Sequence, residues 1–455
     1  MRVFDRSNIL KSGSVLAATA LAAAMVVGAP VIASAECNLT YAPEEGAELT
    51  LLRWKRFVQS EEDAFMQIVA NFEKDCGVTV NVQNESLDDV QPKASVAANV
   101  DQGPDMVWGL YSLPHLFPDK LVDLTDLANM LGEKYGGWVD SAKAYGMSGD
   151  KWIDIPIAYN GNMINYRQSA LREAGYDEIP ADTDGFLELA KKLNEIGKPM
   201  GMALGHASGD GNAWVHWALW AFGGSLVDEN DQVVINSPET KAAVEYVTEL
   251  SKYMVPGVAS WNDSNNNKAF LSGDVSLTNN GPSIYPAARN GANPPADADE
   301  ATKAAAPMMQ EIYDDMNHAF WPVGPFGEPT EFHIAYPMMI FKYSKYPNAA
   351  KGFIEYLFQP EQFNAWVEGS VAYLTPSLET YLENPVFTDD PKLTVFRDAS
   401  ERTLTAGYKG SVGDKAAAAL ADFIVLDMFA NAATGTMSAD DAIANAERQA
   451  KRIYR

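Results

Sequence analysis

Three observations predict an α/β fold for this chain. Strand-like and helix-like segments alternate along most of it, and one complete strand–helix–strand unit is legible near its start. At 455 residues it also exceeds one typical core, so two domains of roughly 200 residues each are expected. An apolar content of 47% is that of a globular protein.

The first segment is an export signal rather than part of the fold. Arg2, Arg6 and Lys11 form a basic head, Val15 to Val27 is an uncharged Ala-rich run, and Gly28 and Pro30 break it. Ala33-Ser34-Ala35 then supplies the small residues of a cleavage site, so residues 1–35 read as a signal peptide. The run is too short to span a membrane, which takes about 20 residues, and no later segment is uniformly apolar over even about 18. Glu36 precedes Cys37 where a lipoprotein signal carries Gly or Ala, which favours a soluble exported product, located in the periplasm, over a lipid-anchored one. Cys37 and Cys76 both enter that oxidising compartment, and an even count there favours a disulfide over two free thiols.

"ELTLLRW", Glu48 to Trp54, is the first strand. Ser60 offers a helix N-cap, Glu61, Glu62 and Asp63 suit a first turn, and Phe65, Ile68, Val69 and Phe72 recur at helical spacing. Gly77 supplies the stop, and Val78, Val80 and Val82 alternate as the next strand. A connection of this length is what a parallel pair needs. "GPDMVWGLYS" is a short buried strand running into a loop, and Phe186, Leu189 and Leu193 mark another helix. Ser237 and Pro238 open a helix carrying Ala243, Val247, Leu250 and Met254, and "GDVSLTNNGPS" is a strand ending in polar residues. Ligands of open parallel sheets sit at the carboxyl ends of strands, which points to the loops after Trp54, Trp108 and Thr278.

Without residues 1–35 the formal charge is −29, which argues against nucleic acid and anionic membranes as partners. The sequence has no P-loop, G-x-G-x-x-G, H-E-x-x-H or G-x-S-x-G motif. Its five histidines (His115, His206, His216, His318, His333) lack ligand spacing with Cys, so neither zinc nor any other cofactor is expected. Asp263, Asn265, Asn267 and Asp274 mimic an EF-hand loop, but Lys268 stands where its Gly is required, so a helix N-terminus with a polar rim is the better reading. Chance carboxylate pairs are too many for a glycosidase pair to be picked out.

Aromatic and amide residues instead cluster at strand ends and loops: Trp54, Trp108 with Tyr111, Tyr159 with Asn160, and Trp214-Val215-His216-Trp217. Trp261-Asn262, Asn279-Asn280 and Trp321 join them. Sugar C–H faces stack on aromatic rings, and sugar hydroxyls need multivalent partners such as amides. Any single Trp is more often a core anchor, so the pattern counts for more than its members.

In the order "FEKDCGVTVNV", "GPDMVWG", "LVDLTDL", "IPIAYNGNMINYRQSALREAGYDEIP", "INSPETKAAVEY", "SLTNNGP", "KYPNAAKGFIEYLF" and "NAATGTMSADDAIANAERQAKRI", the mature chain resembles the extracellular solute-binding proteins of bacterial ABC importers, in the carbohydrate-type family that includes maltose-binding protein. That resemblance implies two lobes joined by about three crossovers, with a ligand cleft between them. Lobe one would be 36–158 with 323–370, and lobe two 159–322 with 373–455. The polar joint Tyr159–Asn162 would be the first crossing, followed by crossings near Trp321–Pro329 and Gly369–Pro376, with Gly161 and Gly324 able to absorb hinge rotation.

By the same resemblance, "NAWVHW" matches the family segment that supplies an acidic and a stacking aromatic contact in maltose-binding protein, so Trp214 is the leading ligand residue and Asn212 the second. Trp54, Lys55, Tyr111, Ser112, Tyr159, Asn160, Trp217, Trp261, Asn279, Asn280 and Gly324 complete the expected ligand set. Ser283 and Asp422 stand where that relative carries tryptophans, which argues against a long maltodextrin groove and for a mono- or disaccharide or a polyol. The expected protein is a non-catalytic, monomeric binding component that closes on such a solute and presents it to a permease. A polyamine or quaternary amine receptor and a secreted carbohydrate-active enzyme are the alternatives. A buried cation would want converging carboxylates, which the ligand motifs lack.

Overall fold

Strand β1 (Glu48–Trp54) passes through helix α1 (Gln59–Cys76) into β2 (Thr79–Glu85), and the two strands pair in parallel from Glu48↔Thr79 to Trp54↔Glu85. This is the unit read from the sequence, in a computed structural model that describes residues 37–455. The expected signal peptide, residues 1–35, lies outside the described residues. Helix α1 buries Phe65, Ile68, Val69 and Phe72, and Gly77 closes it at φ 67° with its N–H on the Glu73 carbonyl. The helix starts at Gln59, ahead of the expected cap, and the Ser60 hydroxyl has no partner. Such helix ends shift by a residue or two.

Helix α2 (Leu87–Val100) leads to β3 (Met106–Trp108), which pairs in parallel with β1. Strands β4 (Ile155–Asn160), β8 (Ile334–Ile340) and β9 (Thr375–Pro376) complete a six-stranded sheet in the order β9-β4-β8-β3-β1-β2. The second sheet has three strands: β5 (Met163–Arg167) lies between β6 (Leu277–Asn280) and β7 (Met316–Ala319), antiparallel to both. Helices α3 (Asp210–Ala221) and α4 (Pro238–Ser251) belong to this second half, and Ser237 caps α4 through the Thr240 N–H at 3.1 Å.

The crossings follow from these pairings. Asn160 pairs with Ile334 in the first sheet and Met163 with Asn280 in the second, so Gly161 and Asn162 belong to neither ladder. The return crossing falls later than the sequence suggests. Val323 N–H still bonds the Ala181 carbonyl, and Phe326 N–H the Ala221 carbonyl, both in the second half. The third is later too, because Thr375–Pro376 pairs with β4 and the Tyr381 hydroxyl bonds the Phe358 carbonyl. These bonds keep Val323 and Phe326 with the second half, and Thr375 to Tyr381 with the first, past the expected lobe limits at 323 and 373. A two-residue strand carries no readable period.

One stretch, Asp414–Ala433, has a mean hydropathy of 1.5, high enough for a membrane span. Phe423, at φ 54°, divides it into α5 (Asp414–Ala421) and α6 (Ile424–Ala433), and half of it is buried inside the protein.

Cys37 and Cys76 form a disulfide that ties the N-terminal arm to the end of α1. Glu355 holds the same arm by accepting the N–H groups of Thr40 and Tyr41 at 3.0 and 3.1 Å. Restricting a 39-residue separation in the unfolded chain stabilises the folded one. Cys37→Ser/Cys76→Ser is expected to lose roughly 2–3 kcal/mol by urea unfolding, and coincident midpoints would show that the tie contributes nothing.

Candidate ligand site

The carboxyl ends of β1, β3 and β6 meet between the two halves of the molecule, and the cleft there has three connected chambers. A narrow throat has Trp54, Tyr336 and Tyr373 on one wall and Asp210, Asp263 and Asn280 on the other. A polar chamber of about 470 Å³ opens on one side, lined by Lys55, Arg56, Phe57, Gln59, Asn262 and Ser264. On the other side lies a chamber of about 380 Å³ that includes Tyr111, Ser112 and Asn212. Leu87, the first residue of α2, lines all three. The throat has a volume of about 20 Å³, room for little more than one water, so a ring enters it only as the lobes part.

Lobe one supplies the throat with aromatic faces and the polar chamber beside it with a fixed cation. The Arg56 guanidinium lies 4.3 Å from the Trp54 ring, 4.5 Å from Trp108, 4.8 Å from Tyr336 and 4.7 Å from Tyr373. Its Nε donates to Glu61 at 2.6 Å, and Glu61 also accepts the Trp366 indole N–H at 2.8 Å. Burial alone would lower the Arg56 pKa, but the Glu61 carboxylate outweighs it and holds the group above its ordinary value. Both Nη atoms and the Trp54 Nε1 are buried donors with no protein partner.

Lobe two presents acceptors. Gly209 and Asp210, at the start of α3, donate their N–H groups to Asp263 at 3.0 and 2.6 Å, so a carboxylate from a distant loop caps this helix. Asp210 in turn accepts Asn162 at 2.7 Å and Asn266 at 2.8 Å. Burial raises the pKa of both carboxyls, and the charge of Asp263 raises that of Asp210 further. The expectation that no carboxylates converge on the cleft is therefore corrected. Asp210 sits immediately before the aromatic helix segment, where the sequence gives no facing.

The crossing strand is tied rather than loose. Asn162 N–H bonds His333 Nδ1 at 3.0 Å, its amide oxygen accepts Asn279 at 3.0 Å, and its carbonyl accepts the Trp321 indole at 2.7 Å. Asn160 lines the throat with its Oδ1 buried and unpartnered, and a Cβ on Gly281 would lie 2.1 Å from that atom. Across the lobes, the Tyr111 hydroxyl donates to the Gly209 carbonyl at 3.2 Å. Tyr111 itself is held at φ 49°, a strained value for a bulky residue.

Of the expected ligand residues, Trp54, Asn160 and Asn280 line the throat, Lys55 the polar chamber, and Tyr111, Ser112 and Asn212 the opposite one. The others line none of the three. Trp214 is fully buried in lobe two and donates to the Ala203 carbonyl at 2.6 Å. Trp217 stacks on Trp321 at 4.6 Å and donates to Pro322. Every residue of α3 is buried, so beyond Asp210 and Asn212 at its start the helix is core and its aromatic spacing carries no facing information. Trp261 covers Gly201, where a Cβ would come within 2.6 Å of its ring. Tyr159 meets the Ser141 hydroxyl at 2.9 Å, and Asn279 buttresses Asn162 and Asp210 from behind. Gly324 packs on the Ala221 carbonyl, 2.3 Å from where its Cβ would be, so close approach rather than hinge rotation calls for glycine there. Trp214→Phe is expected to cost about 1–3 kcal/mol of stability through the orphaned Ala203 carbonyl, with no loss of ligand affinity. A weakened affinity at full stability, read by calorimetry and melting together, would return Trp214 to the site.

Residues 67–395 match the family model described as bacterial extracellular solute-binding protein. The chain belongs to that family. No curated protein matches the sequence. Among solved structures, this solute-binding protein is similar to the GacH receptor of Streptomyces glaucescens GLA.O, solved unliganded and with acarbose (20% identity, TM-score 0.73, covering 90% of this chain and 99% of that one). It is also similar to the maltose-bound MalE3 of T. maritima (19%, TM-score 0.74, 90% and 100%). A third is an ABC transporter solute-binding protein of Thermotoga lettingae TMO bound with α-D-tagatose (17%, TM-score 0.74, 90% and 100%). These likenesses show the two-lobed binding-protein fold.

Proposed function

We propose that this solute-binding protein is exported to the periplasm, captures a small carbohydrate or polyol between its lobes without turning it over, and delivers it to the permease of an ABC importer. The observation that carries the reading is the gathering of polar groups and aromatic faces in one cleft. Unpartnered donors on Trp54 and Arg56 and the unpartnered Asn160 Oδ1 belong to residues that line it, together with Asp210, Asp263 and Asn280 and the rings of Tyr336 and Tyr373. A hydroxyl both donates and accepts, so a polyhydroxylated ring or chain meets both walls, and its C–H faces suit the aromatics. The sugars named for the structural neighbours support the same class.

The two carboxylates favour a second reading, a cationic solute. Against it, the aromatic box that would take such a cation already holds Arg56. Thermal melting against a panel of sugars, polyols and amines separates the two, because a ligand of the native state raises the midpoint by mass action. A sugar or polyol is expected to raise it, with no product formed on incubation. A response confined to polyamines or quaternary amines would overturn the class, and turnover proportional to protein would overturn the binding role.

A further inference from the structure

If the cleft takes a carbohydrate, the chamber beyond the throat offers it a mainly apolar wall. On the lobe-one side its wall is built by Leu87, Val90, Leu113 and Leu116, and on the lobe-two side by Leu420, with Phe423 stacked on His206 at 4.4 Å between ring centres; Asp88, Gln91 and Ser208 also line it but are only partly buried or exposed. Hydroxyls buried against aliphatic side chains lose their water partners without replacement, at a cost for each. The chamber on the other side of the throat carries more charged side chains, with Lys55, Arg56, Glu85 and Asp263 on its wall. Few side-chain polar atoms in the aliphatic chamber are both buried and free to bond a ligand. Ser112 Oγ and Asn212 Oδ1 are such atoms, while His206 Nε2 is already taken by Asp427 at 2.8 Å. A volume of about 380 Å³ is nevertheless that of a ligand pocket, and the chamber joins the throat along Leu87 and Leu110.

Resting on the carbohydrate reading above, we infer that the solute is a glycoside with an apolar aglycone: the sugar ring meets the throat and polar chamber, and an aryl or alkyl group fills the aliphatic one. The two unpartnered atoms leave room for one or two hydrogen-bonding groups on that aglycone. The aliphatic lining thereby sets specificity against free sugars and against disaccharides, whose second ring would bring hydroxyls to Leu113, Leu116 and Leu420.

Calorimetric titration of the mature protein with matched methyl and phenyl glycosides of glucose, galactose, mannose and xylose, and with disaccharides of the same sugars, tests this. For the sugar bound best, the phenyl glycoside is expected to bind at least about tenfold more tightly than the methyl glycoside, the gain from withdrawing one ring from water. Leu420→Asn, which makes the wall polar, and Ala417→Phe, which fills the chamber, are each expected to bring that ratio toward one. A ratio near one in the wild-type protein, or a disaccharide bound more tightly than the phenyl glycoside, overturns the inference and leaves the carbohydrate reading standing. Binding of no saccharide or glycoside at all would overturn the carbohydrate reading itself.

Discussion

Glu61→Ala is expected to lower the unfolding free energy by about 3–5 kcal/mol, the cost of leaving a buried charge without its counter-ion. The Arg56 and Glu61 side chains are both at 0% exposure, and among the described residues Arg56 has no other carboxylate at bonding distance. The four surrounding rings attract the cation through their faces, but they give its N–H groups no acceptor to replace Glu61. The Trp366 indole N–H loses its acceptor in the same substitution. Denaturant unfolding of wild type, Glu61→Ala and the Arg56→Met/Glu61→Met pair checks the argument. The double variant removes both charges and is expected to recover much of the loss. A single variant as stable as wild type would show that the box tolerates a bare guanidinium.

Glu331→Ala is expected to cost about 3–4 kcal/mol at neutral pH, and the loss has a definite pH dependence. Glu331 stands beside the second crossing, buried, accepting Arg402 Nε at 3.0 Å and His333 Nε2 at 2.9 Å. Because His333 Nδ1 accepts the Asn162 N–H, its proton is on Nε2, so the carboxylate also orients the imidazole that holds the first crossing. Burial alone would raise the Glu331 pKa, but the bonds from His333 and Arg402 outweigh it and hold the group below its usual range. A carboxyl depressed in the folded state contributes stability that is complete above its unfolded pKa. That contribution is lost as pH falls through the folded value. The difference between wild type and Glu331→Ala is therefore expected to be full at pH 7 and to shrink below about pH 4. A difference independent of pH would assign the loss to packing instead.

The parts of the fold that could be read in advance are those specified locally. The unit from β1 to β2 was legible because period-2 and period-3.6 patterns adjoin with a glycine stop at Gly77, and Ser237 announced its helix by capping chemistry. The strand ends after Trp54 and Trp108 were legible as cleft positions because parallel-sheet topology brings them together, whereas Asn280 reaches the cleft from an antiparallel strand of the second sheet. What escaped depends on residues far apart in sequence. The Arg56 box needs rings from positions 54, 108, 336 and 373, and nothing near Arg56 announces it. Asp210 and Asp263 look like surface acids until α3 and the loop before Asn265 are brought together. Trp214 misled because an aromatic run on a helix with no polar face reads the same whether it meets solute or core.

The box around Arg56 also bears on how such a receptor could change its diet. Here the chain supplies its own tenant, anchored by Glu61, and the cage is closed to outsiders while that side chain stays. One codon change removes the tenant but leaves the four rings and the carboxylate, the furniture a small quaternary ammonium requires. Tetramethylammonium is accordingly expected to raise the melting temperature of Arg56→Ala and not that of the wild type. Equal responses would mean that the rings collapse on eviction. Receptors that refuse cations and receptors that prize them would then be separated by a single mutational step, taken on the lobe that keeps its aromatic walls through the change.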